Sequence, residues 1–324
     1  MKHVDEDAEA AAEIFTLLAP ELAPPTRLRM EIPVLSGVFR YEVRTPDGPY
    51  RLKITKDPVQ ASGLLRGTTL LGALEKQGVA VPRHVAACSS LRGSDVTAAL
   101  ETRLGTTGGE EAWTFLSGQG RVALAEEAAR SLLIFHKVRV AELPSFAPPS
   151  APSGRAASPR RPWREVQAAR SERILERIRG ADLFEAPVLE AIRARHHHAI
   201  EQLPAELSRT LCHGQFSLDA VAVEGRVFAG VRDLEEANTG DPWMDVTHFL
   251  ASTRDPLGAP ARRFVATYAG AAGTPPDLPT RIDLYSSLCV LRAIAHLCDD
   301  APLGVRADMV RLTEDWLATA PLRL

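Results

Sequence analysis

The densest collection of groups able to do chemistry lies between Cys212 and Leu250, in CHGQFSLDAVAVEGRVFAGVRDLEEANTGDPWMDVTHFL. A thiol and an imidazole adjoin at Cys212 and His213, and carboxylates follow at Asp219, Asp233, Glu235, Asp241 and Asp245. His213 is suited to moving a proton, because an imidazole titrates near neutral pH. Carboxylates suit a hard divalent cation, which takes oxygen donors. Gln215 and Ala220 offer neither service, since an amide does not accept a proton near neutral pH and a methyl group holds no cation. Upstream, residues 31–56 set β-branched and aromatic residues around Pro46-Asp47-Gly48, which predicts a hairpin. Its second strand carries Lys53. From composition alone, Lys53 reads equally well as an edge-strand lysine that keeps a sheet soluble.

The order of these residues resembles the aminoglycoside phosphotransferase and choline kinase group, whose members read H-G-D-x-x-x-x-N, then I-D-[WF]-E, then G-D-P-x-x-D. His213, Gly214, Asp233, Glu235, Gly240, Asp241, Pro242 and Asp245 fall in that register. The resemblance implies an α+β, two-lobed, protein-kinase-like fold. Residues 1–105 would form an N-terminal helix and a small β-rich lobe, and residues 106–324 a mainly helical large lobe. It also implies phosphoryl transfer, in which a carboxylate takes the acceptor's proton, a lysine holds phosphates and Mg²⁺ bridges them. Lys53 stands at the family's phosphate-binding lysine and Asp233 at its principal Mg²⁺ ligand. Ser36 and Gly37 fall in the phosphate loop, and Glu101 to Leu104 at the lobe hinge, where backbone groups would read adenine. Asp241 and Asp245 match acidic positions that brace the catalytic loop, and His136 matches a structural histidine on a core helix.

Several positions depart from the pattern. Gln215 takes the place of the catalytic aspartate and Ala220 that of the metal-binding asparagine. Asp219 offers a carboxylate one residue early and serves a metal only if the loop re-registers. The window from Arg66 to Thr69 has no carboxylate to hold Lys53, and Glu75 falls at the solvent-exposed helix end. The phosphate loop has a single glycine, few free amides for a nucleotide clamp. Asp233 is then either a residual metal contact or a partner of Lys53. Loss of base assistance alone costs a factor of about 10²–10⁴. The candidate catalytic groups are therefore His213, Gln215 and Asp233. The candidate nucleotide contacts are Lys53, Ser36, Gly37 and Glu101, and the candidate metal ligands Asp233 and Asp219. The cofactor implied by the resemblance is ATP with Mg²⁺ at a degenerate site.

Three functions follow as expectations. The first is a pseudokinase whose cleft binds a small molecule or peptide and acts with a partner enzyme, in bacterial natural-product (ribosomal peptide) tailoring. The second is an enzyme of changed chemistry, such as peptide thiol addition or cyclisation, using His213, Asp233 and Cys212. The third is an active small-molecule phosphotransferase with non-standard catalytic residues.

Length and charge frame these readings. The chain has 324 residues, enough for two lobes. A net charge of −3 gives no basis for a nucleic-acid partner. No apolar run reaches membrane-spanning length and the start is acidic, so no membrane partner and a cytoplasmic location are expected. The four cysteines, Cys88, Cys212, Cys289 and Cys298, lack C-x-x-C spacing and predict reduced thiols. Helical spacing is read over 5–23, 121–138, 163–180 and 185–202, with closing helices over 258–321. His196, His197 and His198 read as a solvated helix face. A Pro/Ser/Gly-rich stretch with Arg155, Arg160 and Arg161 predicts a mobile insertion near 144–162.

Overall fold

A computed structural model describes residues 2–31, 37–138, 162–180, 184–205, 207–253 and 255–297. The expected insertion near 144–162, apart from Pro162, lies outside the described residues, as do Ser36 and Cys298. The small lobe opens with α1 (Lys2–Leu18) and continues through β1 (Arg27–Met30), β2 (Phe39–Thr45), β3 (Gly48–Thr55), α2 (Pro58–Lys76), β4 (His84–Cys88) and β5 (Thr97–Thr102). The strands make one sheet in the order β1-β2-β3-β5-β4. The two-residue turn at Pro46-Asp47 pairs Arg40 with Lys53 and Glu42 with Arg51 across the hairpin.

That register, with the two-residue alternation of strands, sorts the sheet into two faces. Tyr41, Val43, Tyr50, Leu52 and Ile54 lie on one face and pack against Ala11, Phe15 and Ala19 of α1. Arg40, Glu42, Arg51 and Lys53 lie on the other, and β5 adds Glu101 directly opposite Arg51. Arg40, Arg51, Lys53 and Glu101 are nonetheless all buried. Something must therefore cover the charged face and satisfy it, because a buried charge left unpaired is costly.

The large lobe runs through β6 (Thr107–Gly108), α3 (Gly109–Phe115), α4 (Gly118–His136), α5 (Trp163–Gly180), α6 (Ala186–Gln202), β7 (Thr210–Cys212), β8 (Val221–Glu224), β9 (Val227–Val231), β10 (Asn238–Gly240), α7 (Pro242–Ser252), α8 (Ala259–Ala272) and α9 (Leu278–Leu297). Its core joins α4, α7 and α8 around Phe216, Phe249 and Phe264, with the last two rings stacked at 4.0 Å. A second cluster ties α5 and α6 to α9 through Leu175, Ile178, Leu189, Ile192 and Leu291. The Gly-Asp-Pro motif forms the start of α7: the Asp241 carboxylate accepts from the Trp243 amide, and Pro242 sits at the first helical position, where a missing N–H costs nothing.

The histidine run splits. His196 is buried, with Nδ1 2.7 Å from the Ser171 hydroxyl, while His197 and His198 face solvent. One turn of helix cannot expose three successive residues on one side. Among the described residues, no helix is long and apolar enough to cross a membrane.

Candidate functional site

The loop after β7 is held from behind. Asp245, fully buried on α7, accepts from the His213 amide at 2.7 Å and from the Gly214 amide at 2.9 Å. Its Oδ2 also lies 3.0 Å from His136 Nε2, and His136 Nδ1 is 2.7 Å from the Tyr268 hydroxyl. Asp241 in turn accepts from Arg281 at 2.9 Å and from the Tyr285 hydroxyl at 2.7 Å. Gly214 has φ 86° and an added Cβ would stand 2.0 Å from the Glu236 carbonyl oxygen, so a side chain would meet both strain and collision.

His213 belongs to this brace. It is 0% exposed, its Nε2 is 2.8 Å from the Arg232 carbonyl oxygen, and its ring lies between Phe135 and Phe216. Cys212 is equally buried, and burial together with Asp245 pushes its thiol well up. Neither group presents surface on which a substrate could be handled. The donor atoms of His136, Cys212 and Asp245 lie within 4.8 Å of one another. Both imidazole nitrogens and both Asp245 oxygens are already engaged, which makes this a structural knot.

The charged face of the small sheet is covered by the segment 232–236. Lys53 Nζ contacts Glu101 at 2.8 Å, Glu235 at 3.0 Å and Asp233 at 3.2 Å. Asp233 also takes Arg51 at 2.7 Å, Arg40 at 3.4 Å and Arg232 at 3.7 Å. Glu31 closes the set with hydrogen bonds from Arg51 Nε at 3.0 and 3.1 Å. Four cations (Arg40, Arg51, Lys53, Arg232) thus face four carboxylates (Glu31, Glu101, Asp233, Glu235). Burial works to raise the Asp233 carboxyl, but Arg51, Arg40, Lys53 and Arg232 outweigh it and hold it well below the usual carboxylate range. Burial likewise opposes the Lys53 charge, which Glu101, Glu235 and Asp233 sustain.

Magnesium does not fit this donor set. An ion at Asp233 would have to displace up to four cations already there, and no asparagine waits at position 220. Ala220 is buried, and its carbonyl accepts from the Arg232 amide at 2.9 Å. The Arg232 side chain bonds the Asp219 carbonyl at 2.9 Å while lying beside Asp233, so a guanidinium occupies the gap between the two expected metal ligands. Burial and then Glu110 push the Asp219 carboxyl up, which weakens it further as a cation donor.

Glu101 lies near the end of β5, where backbone groups of the hinge were expected to read adenine, and its buried side chain holds Lys53. It takes over the task that α2 does not perform, and the glycines of α2 explain why. A Cβ on Gly63 would stand 2.6 Å from the Glu235 carbonyl oxygen, and one on Gly67 would stand 3.1 Å from that of Leu234. The helix is pressed against 234–236 too closely for a glutamate to enter. Gly63→Ala should prise these segments apart and cost about 1–3 kcal/mol, read as a fall in the urea midpoint. Gly37, with φ 66°, has its carbonyl bonded by Thr55 Oγ1 at 2.8 Å. Gln215 is half-buried on the braced loop.

Arg40, Arg51 and Arg232 escaped the sequence reading. Two of them were recoverable: Arg51 lies two residues before Lys53 on the same strand face, and a two-residue turn places Arg40 opposite it. A separate cavity of about 560 Å³ opens on the other side of Gly214, between α5, α9 and residues 236–239, and the sequence carried no motif for it.

The lobes, the braced loop and the lysine–carboxylate centre define a protein of the kinase-like phosphotransferase class. Residues 34–284 match the model of the phosphotransferase enzyme family, and the chain belongs to that family. It is similar in structure to the aminoglycoside phosphotransferase APH(2'')-IIIa in complex with GDP and kanamycin, with TM-score 0.74 and 15% identity, over 94% of this chain and 97% of that one. A thermostable mutant of APH(4)-Ia gives TM-score 0.68 and 15% identity, over 91% and 95%. ADP-bound APH(2'')-Ib gives 0.64 and 17%, over 94% and 96%. At these identities the likeness establishes the fold. No curated protein matches the chain in sequence.

Proposed function

We propose that the chain is a pseudokinase: a phosphotransferase-fold protein that binds a small molecule or peptide without phosphorylating it. In this reading it acts beside a partner enzyme in bacterial natural-product tailoring, of the kind applied to ribosomal peptides. The observation that carries the loss of phosphotransfer is the closed charge network. Four carboxylates neutralise the four cations that could have held phosphates, and the cations occupy the carboxylate that could have held metal. Gln215 and Ala220 remove the base and the second metal ligand, in agreement with this. The burial of Cys212 and His213 weighs against changed chemistry centred on those residues. The tailoring context rests on the resemblance to kinase-like subunits of peptide-modifying systems. Titration with peptides encoded beside the chain's own gene tests it: saturable binding supports that context and its absence removes it.

The test of the cleft is a thermal-shift titration with ATP and GTP, with and without Mg²⁺. A ligand bound only by the native state raises the melting point by mass action. No Mg²⁺-dependent shift is expected. The double variant Gln215→Asp/Ala220→Asn should also fail to bind or hydrolyse Mg·ATP, because Asp233 stays clamped by its four cations. Turnover in that variant would show that the two missing residues, and not the charge network, silence the site.

A further inference from the structure

We infer that the large-lobe cavity beside Gly214 is a binding site for a small oxyanion-bearing ligand, one that carries a carboxylate or phosphate next to an amide-like donor and acceptor. The inference deepens the pseudokinase reading by naming a ligand class, and it rests on a different set of residues. The cavity's volume falls in the range of small-molecule sites. Among the described residues, Arg170, Arg173 and Arg292 line it together with Glu236, which pairs with Arg292 at 3.0 Å. Among the described residues, no carboxylate lies within ion-pair distance of Arg170 or Arg173. Arg170 donates to the Met244 thioether at 3.1 Å, a weak acceptor. Burial and then the nearby Arg292 lower its pKa, as expected where positive charge is under-compensated.

The second observation is independent of charge. Gln167 lines the same cavity and is 0% exposed, yet among the described residues neither Oε1 nor Nε2 has a hydrogen-bond partner. An amide buried with both ends unsatisfied costs stability and is rare in native proteins. A ligand presenting one acceptor and one donor would complete it, while guanidinium forks would take the ligand's oxyanion in two-pronged contacts. A ligand bearing several ammonium groups would meet like charge at Arg170 and Arg173 and be repelled.

The test uses the full chain at low ionic strength, with inorganic phosphate and N-acetylglutamate as probes, sodium chloride as the ionic control and kanamycin as the polycation. At least one oxyanion should give a saturable rise in melting temperature that chloride does not reproduce. A response to phosphate alone assigns a phosphoryl ligand, and one to N-acetylglutamate alone assigns a carboxylate of peptide character. Arg173 is exposed, so Arg173→Glu should fold normally and weaken binding at least about tenfold, the loss of a charge-assisted contact. Gln167→Leu should leave the unliganded melting point unchanged or raise it while weakening the probe, which a merely structural glutamine would not do. No saturable response to either oxyanion, a response unaltered in Arg173→Glu, or preferential binding of kanamycin would each overturn the assignment. Mg·ATP turnover abolished by Lys53→Ala and untouched by Arg173→Glu would defeat the pseudokinase reading and leave this one standing.

Discussion

Asp233→Asn should destabilise the folded chain by about 3–5 kcal/mol, the usual cost of removing one partner from a buried ion cluster. The loss should be the same with or without magnesium and nucleotide. Asparagine keeps the shape of the side chain and, like aspartate, tolerates the left-handed backbone at this position, where φ is 66°. The substitution therefore removes the charge and turns one acceptor oxygen into a donor, with little change of shape. It leaves Arg40, Arg51, Lys53 and Arg232 facing only Glu31, Glu101 and Glu235. A carboxylate awaiting a metal in an open acidic site behaves in the opposite way, since neutralising it relieves repulsion. Urea unfolding at pH 7 measures the difference, and a loss below about 1 kcal/mol would mean that solvent already screens the cluster. Adding Arg40→Gln should restore part of the loss, a coupling that a double-mutant cycle reads directly. The sign with pH is fixed by the depressed Asp233 value. Its stabilisation is complete above the ordinary carboxylate pKa and disappears as pH falls through the folded one.

Mild acid should act earlier and through different groups. Burial, with Arg170, Arg292 and His213 adding to it against Asp245, lowers His248 to about 3. Burial and then Arg195, opposed by Asp283, lower His196 to about 4. In the unfolded chain both titrate near 6.5, so between that pH and their folded values the unfolded state binds more protons and stability falls as pH falls. Two such histidines amount to about 4 kcal/mol lost between pH 7 and pH 5, with no further dependence on them above pH 7. Urea midpoints across this range give the slope. His196→Gln and His248→Gln should each remove about one proton's worth of it, and an unchanged slope in the double variant would place the acid sensitivity elsewhere.

The two predictions rest on residues that were unequally visible in the sequence. Asp241 and Asp245 could be read as braces because the resemblance places acidic bracing residues at those positions, and the structure uses them for a helix cap and a double amide grip. Lys53 could be located because a turn and strand alternation define its register, and one of the two roles anticipated for Asp233, partner to Lys53, is realised at 3.2 Å. His196 could not be separated from His197 and His198, since which face of α6 is buried depends on α5 and Ser171. Glu101 was placed by its order along the chain, and order does not say which way a strand residue points.

The order and spacing of motifs in the sequence determined the family, the two-lobed architecture, the hairpin that carries Lys53 and the absence of the expected base and metal ligand. Each of these depends on neighbours within a few residues or on a missing functional group, and a linear chain displays both. Only the tertiary structure decided that the surviving Asp233 is clamped by four cations and that arginines line the cavity beside Gly214. Arg51 and Asp233 are 182 positions apart and 2.7 Å distant, and α5 and α9 bring the cavity's arginines together from opposite ends of the large lobe. The electrostatic character of a site is a sum over charges weighted by their distance in space and their burial. It is therefore settled only when the chain has folded and distant segments have met.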